Sequence, residues 1–350
     1  MIWKYDQDWG KVLEKSLFHG DVSVNNYPMT KFLKSLSGSV FCALALSWQT
    51  SAVQAESGVK ITKGDGRLAI EIDGALFSNY YFEGYSRPFL FPLVGPGGVE
   101  MTRSWPIKDG VPDEEKDHPH HKSFWWAHGD MNGVDFWAES PKSGKTVHEG
   151  FGEIVSGAEA GVIHSRNRYV AGDGKVICTD ERVVTIRKEG ENRIVDFEVK
   201  VVASHGDLVF GDTKEGTLAL RLNEGLRLKG KIGKGRILNS EGVEDGATWG
   251  KRASWVDYFG PIGGKMVGVA ILDHPSNPRY PTWWHVRDYG LFAANPFGIH
   301  DFEKKPKGAG DLKVESGKSV TFKYRIILHA GDSAEAAIQK ASEAWAGAGK

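Results

Sequence analysis

From residue 59 onward, apolar side chains recur at every second position over long stretches. Leu68, Ile70 and Ile72 alternate with Ala69, Glu71 and Asp73. Val195, Phe197, Val199 and Val201 alternate with Asp196, Glu198 and Lys200, and Val320, Phe322, Tyr324, Ile326 and Leu328 with Thr321, Lys323 and Arg325. A period of two gives each strand one face in a core and one in water, as in antiparallel sheets. Gly172-Asp173-Gly174, Gly190-Glu191-Asn192 and Gly263-Gly264 supply the hairpin turns between such strands. One helix is expected, at the C-terminus, where Asp332 can cap with Glu335 while Ile338, Ala341 and Trp345 recur on one face. No repeat, charge run or linker divides residues 58–350, so the pattern predicts a single all-β domain, an antiparallel β-sandwich.

The alternation fails between about 84 and 141, which holds seven prolines, from Pro88 to Pro141. Long irregular segments inside a domain are either disordered or functional. Trp105, Trp125, Trp126 and Trp137 argue for order here, because each covers a large apolar area when packed.

The first 55 residues follow a different logic. After Met29 come Lys31 and Lys34, then the apolar run Val40-Phe41-Cys42-Ala43-Leu44-Ala45-Leu46, then Val53-Gln54-Ala55 with compact residues where a signal peptidase cuts. The apolar run is far shorter than the ~20 residues a spanning helix needs, so membrane insertion is not expected. Residues 29–55 are therefore expected to be a signal peptide, 1–28 a mis-called N-terminal extension, and 56–350 the mature domain, periplasmic or secreted. Of the two cysteines, Cys42 would leave with the signal and Cys178 would have no intrachain partner. The domain must then be held by its core, and residues 56–350 are enough for one large β domain. A formal net charge of -1 argues against nucleic acid as a partner.

The densest polar cluster is Asp117-His118-Pro119-His120-His121, with His128 and Asp130 soon after. Imidazole suits proton transfer near neutral pH and is also the commonest metal ligand. His120 and His121 are neighbours, so in an extended strand they point to opposite faces. No second His or Glu stands at clear metal-ligand spacing, and structural loop histidines remain an alternative. In Arg103-Ser104-Trp105 a guanidinium can donate to hydroxyls while an indole stacks on a sugar's C–H face. An Arg packed on a core Trp would look the same. Glu215 in Lys214-Glu215-Gly216, and Asp273-His274 at the end of the apolar run Val267–Leu272, are further acid–base candidates. The stretches through Asn277, Trp284-His285 and Asn295 supply polar and aromatic groups of a similar kind.

Two resemblances rest on these residues. Thr102-Arg103, His118-Pro119-His120-His121, Ala127-His128-Gly129-Asp130-Met131-Asn132-Gly133-Val134-Asp135-Phe136-Trp137, Lys214-Glu215-Gly216 and Asp273-His274-Pro275 resemble the PmoA-like "methane oxygenase" family, an exported bacterial domain of unknown function. That name implies a metal-dependent oxygenase, with copper or iron on His118, His120, His121 or His128. The order of Arg103, His120-His121, Trp137 and the segment Gly268–Asn277 is similar to galactose mutarotase-like proteins, which implies an antiparallel β-supersandwich. Here His-His-Lys replaces the family's His-Gly-Gly, Glu215 lies near where its second His is expected, and Asp273 or His274 replaces its Glu. Fold alone does not give function.

Together these features point to acid–base chemistry (epimerase, lyase or hydrolase) on a sugar or sugar derivative, with non-catalytic carbohydrate binding as the alternative. The acid–base candidates are His120, His121, His128, Glu215, Asp273 and His274. The candidate ligand contacts are Arg103, Trp105, Asp135, Asn277, Trp284, His285 and Asn295. Arg103, His120 or His121, His128, Glu215 and His274 are expected to converge in one pocket, and no cofactor is specified. The N-terminal pattern predicts a mature chain that starts at Glu56, to be checked by N-terminal sequencing of exported protein. A mature chain that still carries Phe41–Leu46 would refute it.

Overall fold

Strand alternation builds two large antiparallel sheets from residues 57–347, the part of the chain that the computed structural model describes. The expected signal peptide, the extension before it and the cleavage point at Glu56 lie outside the described residues. In the first sheet β1 (Val59–Gly64), β2 (Arg67–Ile72), β3 (Ala75–Tyr81), β4 (Phe89–Phe91) and β5 (Phe124–His128) lie side by side. Three later strands, β11 (Gly216–Arg221), β16 (Leu291–Asn295) and β15 (Trp283–Val286), complete its eight-stranded order. The second sheet runs β12 (Arg236–Asn239), β13 (Trp255–Ile262), β14 (Lys265–Asp273), β18 (Ser319–Ala330), β9 (Asn192–Val202), β8 (Val176–Glu189), β7 (Ala160–Val170) and β6 (Lys145–Val155). A two-stranded ribbon pairs β10 (Leu208–Phe210) with β17 (Leu312–Val314).

The alternating residues named above meet between the sheets. Leu68, Ile70 and Ile72 face Val195, Phe197, Val199, Phe322, Tyr324, Ile326 and Leu328 in one continuous core. Each buried Leu, Ile or Val there stabilises the fold by about 1.5–3 kcal/mol. This is the expected antiparallel β-supersandwich.

Both sheets are also covered on their outward faces. The second sheet carries Trp255, Ala270, Leu272 and Ile327 outward, where helix α2 (Ile338–Gly347) packs Ile338, Ala341 and Trp345 against them. That is why β14 reads as an almost unbroken apolar run. The C-terminal helix starts later than its cap implies. Asp332 and Glu335 do form their reciprocal hydrogen bonds, at 2.9 and 3.1 Å, but Ala337 sits at φ 50° and the helix begins only at Ile338. A five-residue helix, α1 (Ile299–Glu303), is an addition to the expected elements. No helix among the described residues is long and apolar enough to cross a membrane.

The first sheet's outward face carries a second, smaller core: Phe89, Phe91, Trp125, Ala127, Trp137, Ala219, Leu291 and Ala293. The irregular segment from 104 to 123 and Trp137 lie over it, so the prolines and tryptophans of that stretch are packed.

At the end of β14, Asp273 accepts from Asn277 Nδ2 (2.7 Å) and from the Thr282 N–H (2.8 Å), closing the loop between β14 and β15. Burial pushes its carboxyl up to about 7. A folded pKa above the unfolded value gives stability that is complete below about pH 3.8 and is lost as pH rises through about 7. His120, His128 and His285, held near 4 by burial, act in the opposite sense. The readout is therefore the difference this carboxyl makes, on the order of a few kcal/mol, to thermal unfolding followed from pH 4 to 8. Relative to the parent, Asp273→Asn should make stability rise more steeply between pH 4 and 6.5, because the loss carried by this carboxyl is gone. His329 is buried too, but its 3.0 Å contact with Asp257 outweighs burial and raises its pKa, so a decline above pH 6.5 should persist in the variant. An unchanged slope in Asp273→Asn would show that this carboxyl does not titrate as burial dictates.

Candidate functional site

Register places the polar groups of the first sheet's outward face in rows. Phe89 pairs with Trp125, Trp125 with Ala219, Ala219 with Ala293, and Ala293 with His285. One row therefore has large side chains at its ends and two alanines in the middle. Two residues along, about 7 Å away, Arg221 pairs with Leu291, and the Arg287 N–H donates to the Leu291 carbonyl at 2.8 Å. Two arginines thus stand in one row, on either side of a leucine. The small residues leave room for longer side chains to lie across the sheet.

The cover over these rows is tied down by Arg103. Its side chain is fully buried and all five of its donors are used. Nε donates to Trp105 O (3.0 Å), Nη1 to Glu115 O (3.1 Å) and Asp117 Oδ1 (2.5 Å), and Nη2 to His118 O (3.2 Å) and His121 O (3.3 Å). The guanidinium also sits 5.1 Å from the Trp105 ring centroid. One side chain therefore sets the path of residues 105–121. Glu114 adds to this by accepting the Ser104 and Trp105 N–H groups at 2.6 and 2.8 Å.

Fixed in this way, the histidine segment builds a pile of four rings. Tyr289 stacks on His118 (5.1 Å, 6°), His118 on His121 (4.7 Å, 5°), and His121 on Trp125 (5.3 Å, 20°). His120 meets His121 edge-on at 4.4 Å. Burial and neighbouring cations hold His121 far below the usual histidine value, and burial with Arg87 takes His120 down to about 4. Arg221 Nη2 donates to Asp117 Oδ1 at 2.6 Å and its Nη1 lies 3.3 Å from His121 Nδ1. Because the arginine can only donate, His121 Nδ1 accepts and the proton of its neutral ring is on Nε2.

Across the alanine row stands a second polar group. His285 Nδ1 lies 2.8 Å from the Lys214 carbonyl, which can only accept, so Nδ1 carries the proton and the neutral ring has a bare Nε2. Burial lowers its pKa to about 4. Glu215 is half-buried beside it. Burial raises the Glu215 carboxyl, but hydrogen bonds from Thr213 (2.8 Å) and Lys214 (3.3 Å) outweigh that and hold it below the usual value. The loop is pinned by Asn295, whose Nδ2 donates to Thr213 O at 2.9 Å and whose Oδ1 accepts from the Phe297 N–H at 2.8 Å. Gly129 N donates to Glu215 O at 2.7 Å, and a Cβ at Gly129 would come within 2.8 Å of Glu215 Cβ, so only glycine fits.

The structure thus brings Arg103, Trp105, His120, His121, Glu215, His285 and Asn295 to one sheet face, and parts the others from them. His128 follows Phe124 and Trp126 onto the inward side of β5, where Nε2 donates to Gly211 O at 2.8 Å and the ring packs on Phe210 and Phe297. It shares no face with His118, His120 or His121, so the four do not converge on a metal. Among the described residues no three His, Cys, Asp or Glu side chains are grouped to hold one. His274 belongs to the far sheet, with its ring 4.8 Å from Trp345 in a hollow of about 310 Å³ that Glu198, Lys323 and Arg325 also line. Asp273 and Asn277 are the loop closure described above. Trp284 is inward in the main core and donates to Ala253 O at 2.9 Å. Asp135 Oδ1 accepts the Trp137 and Ala138 N–H groups, at 2.7 and 3.0 Å, and shapes a turn. Arg103, with no donor to spare, organises the cover instead of orienting a ligand.

Three members of the cluster were not singled out from the sequence, Arg221, Arg287 and Tyr289, and Asp117 was noted in the polar cluster without a role. Arg221 had a signal. It is a charged residue in the apolar strand Leu218–Leu222, at an outward position between small neighbours, where only a partner could keep it. Tyr289 and Arg287 had none, because their roles come from strands that meet only in the fold.

A family model described as a family of unknown function (DUF6807) matches residues 67–343. That match attaches no oxygenase name to the chain, and no curated protein matches it. Among solved structures, the galactosidase domain of the α-galactosidase–sucrose kinase AgaSK is similar at 8% identity and a TM-score of 0.40, over 77% of this chain and 42% of its own. The GH36 α-galactosidase AgaA from Geobacillus stearothermophilus is similar at 10% identity and a TM-score of 0.37, over 78% and 40%. A galactose mutarotase-like protein from Lactobacillus casei ATCC 334 is similar at 10% identity and a TM-score of 0.32, over 78% of this chain and 100% of its own. The chain spans about two-fifths of the length of the two galactosidase chains. None of these likenesses bears on individual residues of the site.

Replacing Arg103 by Lys keeps the charge but leaves at least two of its five acceptors unpaired. Loss of a buried, hydrogen-bonded charge of this kind costs about 3–5 kcal/mol. Arg103→Lys should lower the midpoint of urea unfolding accordingly and make the 105–121 segment the first site of limited proteolysis. A variant that resists protease like the parent would show that the cover does not depend on this side chain.

Proposed function

The chain belongs to the DUF6807 family, and from that premise we propose that it acts on a sugar or sugar-derived molecule at the outward face of the first sheet, with Glu215 and His285 as its bases. The observation that carries this is the proton inventory of the pair. The Lys214 carbonyl assigns the His285 proton to Nδ1 and leaves Nε2 free to accept. Burial keeps the ring neutral down to about pH 4, and the hydrogen bonds from Thr213 and Lys214 hold the Glu215 carboxyl below the usual carboxylate range. Two adjacent bases are thus ready to accept protons near neutral pH, which is what general-base catalysis requires.

The surroundings suit a polyol. Trp105, half-buried at the rim, offers an aromatic face for the C–H side of a pyranose. Asp117, His120, Lys214 and Glu215 also reach solvent and can exchange hydrogen bonds with hydroxyls. Proton transfer on such a ligand covers epimerase, lyase and hydrolase chemistry. An extracytoplasmic location belongs to the same proposal and is supported by the signal-like pattern of residues 29–55.

Turnover of mono- and oligosaccharides followed by NMR, with binding measured by calorimetry, tests this. Glu215→Gln should lower kcat by about 10²–10⁴ while sugar affinity and melting temperature stay close to the parent. With the parent protein, kcat/KM should fall as pH drops through about 4, where His285 takes up a proton. A Glu215→Gln variant as active as the parent would remove this base from the chemistry. Sugar binding without any turnover would instead assign the protein to non-catalytic carbohydrate recognition.

A further inference from the structure

We infer that the ligand of this face is anionic, a sugar acid or a sulfated sugar whose oxyanion lies between Arg221 and Arg287; this rests on the sugar reading above and names the substrate class within it. The basis is a charge balance that the protein does not close by itself. Arg103 and Arg221 are both fully buried and share a single oxygen of Asp117, at 2.5 and 2.6 Å. Arg87 and Lys122 likewise share one carboxylate, Glu139, on the far side of His120. Arg287 makes no ion pair within 4 Å among the described residues. Of the nearby acids, Glu224 is committed to Arg227 and Glu215 to Lys214, while Glu114 accepts backbone N–H groups. Asp135 joins Glu139 beside Arg87 and Lys122, and Asp288 beside Arg287 is held by Lys229, so Arg103, Arg221 and Arg287 are left to share Asp117 and Glu114, one cation in excess. Burying a cation costs several kcal/mol unless an anion compensates it, so the excess points to an anion supplied from outside.

Geometry locates that anion. The donors of Arg103 are exhausted. Arg221 Nε is buried without a hydrogen-bond partner, and burial together with Arg103 pushes the guanidinium pKa down to about 10, the mark of a cation short of negative charge. Arg287 stands in the same row two strands away, roughly 10 Å between backbones, a span that two guanidinium side chains can bridge through one oxyanion. Both lie near Tyr289, with guanidinium carbons 4.8 and 5.5 Å from the ring centroid. A carboxylate or sulfate seated beside Tyr289 would therefore meet both guanidinium groups. Bidentate guanidinium pairing suits either group. His285 stands one row along from Arg287, about 7 Å away, and Glu215 lies beyond it on the side of Lys214.

The test uses calorimetry of the full chain with D-galacturonate, D-glucuronate, D-galactose 6-sulfate, D-galactose and sodium sulfate. The variant is Arg287→Gln, whose half-exposed side chain can be changed without opening a buried ion pair. At least one anionic sugar should bind about tenfold or more tightly than galactose, with an affinity that weakens as salt rises. Whichever of the uronates and the sulfated sugar binds identifies the oxyanion. Arg287→Gln should abolish that preference, bringing the anionic sugar to within about twofold of galactose in the same variant. Galactose that binds as tightly as the anionic sugars, with no effect of Arg287→Gln, overturns the anionic ligand and leaves the sugar reading intact. Sulfate binding that is sensitive to Arg287→Gln, without binding of any sugar, supports the anion site and overturns the sugar reading. No binding by any probe overturns both.

Discussion

Five acceptors converge on the buried guanidinium of Arg103, and the outward face of the first sheet owes its shape to that convergence. The segment from 104 to 123 has no ladder of its own to follow. Its carbonyls at 105, 115, 118 and 121 would be left without partners over an apolar floor, and unpaired buried polar groups are expensive. One planar group with five donors satisfies all four, and Asp117 balances its charge. Because those carbonyls come from both ends of the segment, the intervening residues close into a loop. The histidines are then delivered to Tyr289 and Trp125 at stacking distance.

A second constraint is that the first sheet is dry on both faces. On the inward side it meets the second sheet. On the outward side Ala219 and Ala293 sit low between Trp125 and His285. Larger residues in that row would lift the cover away from the sheet. The small ones let imidazole, indole and guanidinium groups lie flat, in contact with one another and shielded from water. Shielding is what lowers His120, His121 and His285 and keeps them neutral. The same low-dielectric surroundings make every charge in the cluster act more strongly than it would in water.

Identical residue types serve other ends elsewhere in the molecule. His329, Asp257 and Ser333 form a buried group in which the carboxylate bonds both partners, with no contact between the serine and the histidine, and which ties the 331–338 turn to the second sheet. Asp180, shared by Asn167, Tyr169 and Arg182, is fully paired in the interior. His128 stands one strand position from the outward face and is spent on a carbonyl in the core. What separates these groups from the candidate site is closure. Each of the first two has charges that cancel within the protein, whereas the outward cluster ends with a cation to spare.

By itself the sequence determined the strands, their inward faces and the sandwich they form. Period-two alternation is a local property, and burying one face of each strand leaves few other arrangements. It also marked the irregular stretch from about 84 to 141 as ordered, because its tryptophans cover large apolar areas when packed. It offered His120, His121 and Glu215 as chemical along with His128, Asp273 and His274. Only the tertiary structure decided which polar residues belong together. Strand parity sent His128 inward although it lies seven residues from His121. Sheet order put Asp273 and His274 on the far layer, and the β15–β16 hairpin, pairing through β16, brought His285, Arg287 and Tyr289 within two strands of β11, some seventy residues earlier. Pairing between distant strands is set by how two whole faces fit, and no local pattern in the chain encodes that fit.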